Sequence, residues 1–164
     1  MRKLFLSVAF ILVFTFSNAQ IVFSSNEKGE LVCNGSLSYS DKSEKELLDC
    51  IQEHDMLESI KAHTNESVNG AYQYSYYASD NVTPVGEISF EYTYTIKKDV
   101  VEYTFYNFKH NREDSKIESV GILPLHLNER LAKVFPEDLY SKILSEQKFN
   151  IANWLKLLNR FCLN

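Results

Sequence analysis

Residues 87 to 97, with the sequence EISFEYTYTIK, decide the fold of this chain. Apolar and polar side chains alternate at every position, so the apolar set falls on one face of an extended strand. Lys98-Asp99 follows as a tight connection, and residues 100 to 108 alternate again. This pattern predicts an antiparallel hairpin with one face buried. The apolar face of the first strand carries Ile88, Phe90, Tyr92, Tyr94 and Ile96.

Upstream segments extend this hairpin into a sheet. Residues 71 to 78 form a further alternating strand, whose apolar face carries Tyr72, Tyr74 and Tyr76. Asn34-Gly35 and Asn69-Gly70 are strong turn pairs and predict two turns. Shorter strands are expected at residues 21–23, 30–33 and 59–64, and residues 117–123 form either a last short strand or an extended link. Loops are expected at residues 80–84 and 110–116, the second of them charged.

Helical spacing occurs on both sides of these strands. Ser43 and Glu46 form a capping box ahead of a helix predicted from Glu44 to His54. A helical tail begins after Pro124, with one helix before Pro136, one after it and a last one capped by Asn150. The sequence therefore predicts an α+β fold, in which helices cover one face of an antiparallel meander and a helical tail ends the chain. The apolar face of the last helix is expected to be Ile151, Trp154, Leu155, Leu158 and Phe161.

The first nineteen residues predict a secretory signal peptide. Arg2 and Lys3 precede an uncharged run from Leu4 to Phe16, and Ser17-Asn18-Ala19 supplies small residues before a cleavage site. The apolar run is too short to span a bilayer, which takes about 20 residues. We expect an exported, periplasmic or secreted protein without an integral membrane segment, consisting of a single α+β domain over residues 20–164 whose part from residue 117 is mostly helical.

Composition narrows the possible partners. The formal net charge of −5 disfavours nucleic-acid binding, because a surface of this sign repels phosphate. Three cysteines, Cys33, Cys50 and Cys162, match no zinc-ligand spacing. Three buried free cysteines and one local disulfide between Cys33 and Cys50 are both open, and the first is preferred.

No catalytic residue, metal site or cofactor is predicted. The chain lacks a G-x-S-x-G elbow, its five glycines form no phosphate-binding loop, and its four histidines are scattered and expected to lie at the surface or at caps. Glu87 and Glu91 share a strand face but lie about 13 Å apart, farther than a glycosidase pair requires.

Tyrosine clustering is the one functional signal. Tyr72, Tyr74, Tyr92 and Tyr94 lie on neighbouring strands, and a buried tyrosine hydroxyl needs a partner. This face is either core under the helices or a half-exposed surface that binds an unknown protein or small ligand. The function hypothesis is a non-enzymatic binding protein that acts through this sheet face or a sheet edge. The alternative is a small hydrolase whose site is assembled from residues distant in sequence.

The stretch from Ser43 to His110 resembles a family of exported Bacteroidota proteins with a domain of unknown function, described as having a TBP-like fold. The resemblance rests on the helix at residues 44–51, on Asn69-Gly70 with its tyrosine-rich strand, and on the strand pair at residues 86–96 and 101–108. The family tends to show an arginine where this chain has Glu102. The resemblance implies a curved antiparallel sheet backed by helices, and it implies no catalytic residue.

Overall fold

The computed structural model describes residues 21–54, 60–63, 66–77, 84–111, 121–134 and 137–163. The signal peptide predicted at residues 1–19 lies outside the described residues. So do most of the loop predicted at residues 80–84 and residues 112–116 of the predicted charged loop.

The described strands form one antiparallel sheet. Their spatial order is β1-β2-β6-β5-β4-β3, and β7 pairs with β6 to make seven strands among the described residues. The predicted meander is confirmed from β3 to β6, while β2 joins the free side of β6 and carries β1 outside it. The strands are β1 (Phe23–Ser25), β2 (Leu31–Ser38), β3 (Ile60–His63), β4 (Ser67–Tyr77), β5 (Pro84–Lys97), β6 (Val100–Asn111) and β7 (Gly121–Ile122).

Helices pack on one face of this sheet, which confirms the α+β class. They are α1 (Glu44–His54), α2 (Glu129–Val134) and α3 (Glu137–Leu158), and a π-helical turn (Asn159–Leu163) follows α3. The capping box ahead of α1 is confirmed, because the backbone N–H of Ser43 donates to the Glu46 carboxylate at 2.8 Å and the N–H of Glu46 donates back to Ser43 Oγ at 3.3 Å.

The helical tail differs from its prediction at Phe161 and at Asn150. Phe161 was expected on the apolar face of the last helix, but it lies in the π-helical turn and is 47% exposed. We expected separate helices on either side of Asn150, with Asn150 as a cap, but α3 runs without a break through this residue. Residues 145–149 contain neither proline nor glycine, so nothing ends the helix there. Gln147 continues the buried stripe across the polar stretch; the stripe is Tyr140, Ile143, Gln147, Ile151 and Leu155.

The alternation that predicts β5 also predicts its burial. All five apolar side chains of its inward face are buried, and polar residues occupy the other face. On that outer face Gln73 donates to Glu87 at 2.6 Å and Thr93 donates to Asn69 at 2.7 Å. β6 contains one extra residue opposite the stretch of β5 from Ser89 to Glu91, and this residue interrupts the pairing of the two strands. The extra residue lies at or next to Asn107, whose φ is 53°. This bulge changes which side chains of β6 face inward.

Both Asn-Gly turn predictions are wrong. Gly35 lies inside β2 opposite Tyr103, and Gly70 lies inside β4 opposite Tyr92. A side chain at either glycine would collide with the opposing tyrosine ring. Glycine is used here because an aromatic ring lies across the neighbouring strand, and not because the chain turns.

The preferred cysteine prediction, three buried free thiols, is wrong for Cys50 and Cys162 and right for Cys33, and the predicted Cys33–Cys50 disulfide is wrong. Cys50 of α1 and Cys162 of the π-helical turn form a disulfide with their Cα atoms 5.7 Å apart, across a sequence separation of 112. Cys33 is a free, buried cysteine in β2. Distance along the chain favoured Cys33 as the partner of Cys50, but the helix and the sheet hold these two residues apart. Lys42 strengthens the same junction by donating to the carbonyl of Cys162 at 2.5 Å.

Candidate functional site

The four tyrosines predicted to form a binding surface share one face of the sheet but differ in depth. Tyr92 and Tyr94 of β5 are 0% and 3% exposed, and they belong to the core. Tyr72 and Tyr74 of β4 are half-buried and line a groove between β4 and α3. The part of the predicted set that reaches a surface is therefore the pair on β4.

This groove has a volume of about 550 Å³, which is within the range of small-ligand sites. Its floor comes from β4 and its opposite wall from α3. Six of its ten lining residues are aromatic. The lining consists of Tyr72, Tyr74, Ser75, Tyr76, Tyr77, Ser145, Glu146, Phe149, Asn150 and Trp154.

The aromatic rings of the groove are continuous with the core. Trp154 meets Tyr72 edge to face with ring centroids 4.8 Å apart, and it lies 5.2 Å from Phe90. Tyr72 and Tyr74 stack with centroids 6.3 Å apart. Because these rings pack against buried neighbours, they present a surface that is already ordered before anything binds.

Two large apolar side chains at the groove are exposed. Phe149 of α3 is 67% exposed and Tyr77 of β4 is 42% exposed. Phe149 lies outside the buried stripe of α3, on the side of the helix that would otherwise be polar. Isolated exposed apolar residues need no explanation, but two beside one aromatic groove form a patch of the kind found at interaction sites.

Polar groups of the groove have defined partners. The Ser145 hydroxyl donates to the carbonyl of Ser141 at 2.9 Å within α3. Lys142 donates to the carbonyl of Tyr77 at 2.7 Å and lies 3.7 Å from the carboxylate of Glu146. Glu146 and Lys142 thus place opposite charges side by side at the groove, and this partly exposed ion pair contributes little stability.

The hydroxyl of Tyr74 is buried and has no hydrogen bond of good geometry to a described residue. Burial raises the pKa of this hydroxyl well above its ordinary value; the Glu146 carboxylate adds to the rise and the Asn150 amide opposes it. Tyr74 is therefore a neutral phenol at any physiological pH. Tyr74 therefore lines the groove as an aromatic ring whose hydroxyl is buried.

Sequence reasoning missed Tyr77, Glu146, Phe149 and Asn150. Phe149 is an apolar residue that does not belong to the buried stripe of α3, and this could have indicated a surface role. The sequence did not show it, because α3 was not predicted to continue through residue 149. Asn150 was assigned to a helix cap and instead faces the groove from mid-helix.

His110 corrects another expectation. It was placed at the start of a surface loop, but it is fully buried near the end of β6. Its Nε2 lies 2.6 Å from the hydroxyl of Tyr76, and the two rings are in contact at 5.4 Å between centroids. The bulge at Asn107 explains the difference, because it turns His110 to the inward face.

Other chemistry is sparse in the described part of the chain. No group of three His, Cys, Asp or Glu residues there could hold a metal ion. Burial raises the pKa of the Cys33 thiol to about 11, against an opposing effect of Lys148, so this thiol is not an activated nucleophile. Among the described helices, none has both the length and the apolarity to cross a membrane.

Comparison with known proteins gives little. No family model and no curated protein sequence matches the chain. A solved structure of a DUF4468 family protein from Bacteroides ovatus is similar at 12% sequence identity, over 81% of this chain and 92% of that chain, with a TM-score of 0.48. A similarity at this level does not by itself establish a shared fold or function.

Proposed function

We propose that this is an exported, non-enzymatic binding protein, and that its ligand occupies the aromatic groove between β4 and α3. The observation that carries the proposal is Phe149, a large apolar side chain that is 67% exposed beside rings already ordered by the core. Covering such a side chain on binding contributes up to about 1.5–3 kcal/mol. Tyr72, Tyr74 and Trp154 add flat aromatic area whose ordering costs little further entropy.

Export is part of the same proposal. It is supported by the signal-like residues 1–19 and by the disulfide between Cys50 and Cys162, since disulfides persist in oxidising compartments. We expect the mature chain to begin at Gln20 or within two residues of it. N-terminal sequencing of the exported protein tests this, and a soluble mature form that keeps Met1 to Phe16 would contradict it.

Membership of the exported Bacteroidota family with the TBP-like fold also belongs to the proposal. It rests on the motif residues between Ser43 and His110, which include the tyrosine-rich strand that forms the floor of the groove. The hydrolase alternative finds no comparable support: the groove hydroxyl of Ser145 is engaged within its own helix, and no general base is seen in contact with it among the described residues.

Photo-crosslinking in the cells that make the protein tests the binding proposal. The full chain would carry benzoylphenylalanine at Phe149 in one version and at Phe161 in the control. Phe161 is 47% exposed but does not line the groove. We expect irradiation to give a discrete adduct, detected by intact mass or gel mobility, from position 149 and not from position 161.

Equal labelling at the two positions would mean that exposure alone governs the reaction. No adduct from position 149 would mean that the groove is unoccupied in the cell. Either result would contradict the proposal.

A further inference from the structure

We propose that the groove binds a small neutral molecule with a flat apolar body and one carboxamide-like end, and that this end hydrogen-bonds to the Tyr74 hydroxyl and the Gln147 amide. This inference rests on the proposed function and narrows its ligand to one chemical class. The observation that carries it is a pair of buried polar side chains without hydrogen-bond partners, one on each of the two elements that form the groove.

Gln147 is the buried amide of α3. Its side chain is fully buried, and neither its amide nitrogen nor its amide oxygen has a hydrogen-bond partner. Leaving a buried donor or acceptor unpaired costs the desolvation of that group, whereas a methionine would fill the same place in the buried stripe without this cost. The packing of α3 therefore does not explain a glutamine here, and such exceptions in native proteins call for another role.

The spacing of residues along α3 places Gln147 beside the groove. Residues three and seven positions apart lie on one face of a helix, and Asn150 and Trp154 have these spacings from Gln147. Both Asn150 and Trp154 line the groove and are half-buried. The groove-facing stripe of α3 therefore continues, one turn earlier in the helix, into a buried and unpaired amide.

The Tyr74 hydroxyl approaches the same turn of α3 from β4. This hydroxyl is also buried and unpartnered. Burial is the main cause of its raised pKa, the Glu146 carboxylate raises the pKa further and the Asn150 amide lowers it, so the hydroxyl lies close to both side chains. Gln147 stands between these two residues in the sequence. Both unpaired groups thus belong to the contact of β4 with residues 146–150 of α3.

The remaining lining of the groove defines the body of the ligand. Trp154 and Tyr72 are held edge to face at 4.8 Å, and Phe149 adds an exposed ring. These rings favour a flat apolar molecule, and a volume of about 550 Å³ suits a small one. Among the described lining residues only Glu146 is charged, and its carboxylate is paired with Lys142. A charged ligand would therefore lose hydration without gaining a partner among them.

The two unpaired groups define the polar end of the ligand. The Tyr74 hydroxyl can both donate and accept, and the Gln147 amide offers a donor and an acceptor on neighbouring atoms. A carboxamide is neutral and also has a donor and an acceptor, so it can pair with both groups. A carboxylate has acceptors only, and a methyl group has neither.

Titration with two matched sets of compounds tests this inference on the full chain. Indole and naphthalene each carry, in turn, a carboxamide, a methyl group or a carboxylate at one position. The side-chain N–H of Trp154 gives a single signal in the nitrogen–proton correlation spectrum, because the chain has one tryptophan. We expect the carboxamide of at least one set to bind about tenfold or more tightly than its methyl and carboxylate counterparts.

Two results of this titration would overturn the inference. One is a carboxamide that binds within about threefold of the methyl compound in both sets. The other is the absence of binding by every compound up to about 1 mM.

Variants at the two polar groups separate binding from folding. Gln147→Met and Tyr74→Phe nearly keep the size of each side chain and remove its polar atoms. We expect each variant to bind the carboxamide about tenfold more weakly and the methyl compound within about threefold of the wild type. The melting temperature should stay the same or rise, because an unpaired buried group is lost.

Ile143→Val is the matched control, since Ile143 is a fully buried neighbour of Gln147 on the same stripe of α3. It should melt at a lower temperature and keep the preference for the carboxamide. If Gln147→Met instead melts lower and keeps that preference, its amide is a structural partner within the core and the inference is wrong.

Crosslinking at position 149 separates the failure of this inference from the failure of the proposed function. A discrete adduct in cells, together with no preference for the carboxamide, would refute the ligand class and leave a binding groove. The absence of the adduct would refute the binding function itself.

Discussion

The inward face of the sheet has two halves built from the same residue type and used differently. Over β5 and β6 tyrosine is core, as Tyr92 and Tyr94 show. Over β4, Tyr72 and Tyr74 remain half-buried beside an open groove. β5 has a long partner on each side, whereas the described part of β3 covers only one end of β4. The comparison teaches that alternation determines which face a side chain takes, while its depth depends on what packs over that position, since Tyr76 of the same strand β4 is buried.

The largest expected loss of stability is for Tyr92→Ala, and Tyr72→Ala is the variant to compare with it. Tyr92 is buried and lies across Gly70, so its truncation should lower the free energy of unfolding by about 3–5 kcal/mol. Tyr72 keeps part of its surface in water, and its truncation should cost clearly less, about 1–2 kcal/mol. Urea denaturation measures both. Equal losses would mean that the two halves do not differ in depth.

The disulfide gives the next effect, because it fixes the end of the helix that walls the groove. Replacing both Cys50 and Cys162 with alanine should cost about 2–4 kcal/mol. Cys33→Ala is the matched control, since it removes a buried sulfur without opening a bridge, at about 1 kcal/mol. Thermal melting compares the three proteins. A double variant as stable as the wild type would show that the disulfide does not stabilise the fold.

A smaller difference in stability is expected between variants that each remove one tyrosine hydroxyl from β4. Tyr76→Phe removes the partner of His110 and should cost about 1–3 kcal/mol. Tyr74→Phe removes a buried hydroxyl without a well-made bond, so stability should change by less than about 0.5 kcal/mol in either direction. Chemical denaturation of the two variants decides this. A larger loss for Tyr74→Phe would reverse our assignment of the two groups.

The smallest expected loss of stability is at the cap of α1. This cap lies outside both halves of the sheet face, so it serves as a reference for the other variants. Ser43→Ala should cost about 1 kcal/mol through loss of the α1 cap. The Ser43 backbone N–H, and then its hydroxyl, lower the pKa of the Glu46 carboxyl. A lowered pKa in the folded state means that the stabilisation by Glu46 is complete above the unfolded pKa, about 4.3, and is lost as pH falls through the folded value.

We therefore expect the stability difference between the wild type and Glu46→Ala to shrink when pH falls from 7 to 3. Unfolding curves of both proteins across this range measure it. A difference that stays constant over the range would mean that ionised Glu46 does not hold the cap.

Much of the fold was predictable because its signals are local. The alternation in β5, the capping box at Ser43 and the strand pair around Asp99 each lie within a few residues, and all three are confirmed. What failed depends on groups far apart in the chain. Gly35 and Gly70 resemble turn residues until the tyrosine across the sheet is known, and Cys50 cannot be paired without knowing where the chain ends in space.

The groove was only half predictable for the same reason. Tyr72 and Tyr74 follow from the strand pattern, but Phe149 and Asn150 reach them from a helix more than seventy residues later in the sequence. The sequence of α3 does not indicate which strand of the sheet the helix will pack against. The burial of Tyr92 and Tyr94 likewise depends on the strands placed on both sides of β5, not on β5 alone.

The extra residue in β6 has a consequence for how this protein can diverge. Val101, Tyr103 and Phe105 face inward at odd positions, whereas Phe108 and His110 face inward at even ones, and the bulge beside Asn107 makes the change. Losing that one residue would leave a strand that alternates regularly, in which Phe108 and His110 still face inward and Lys109 still faces outward. Loss of a residue elsewhere in the middle of β6 would instead exchange the two faces beyond that point. Homologous sequences can therefore lack the extra residue at the bulge and still keep the polarity of the last residues of the strand.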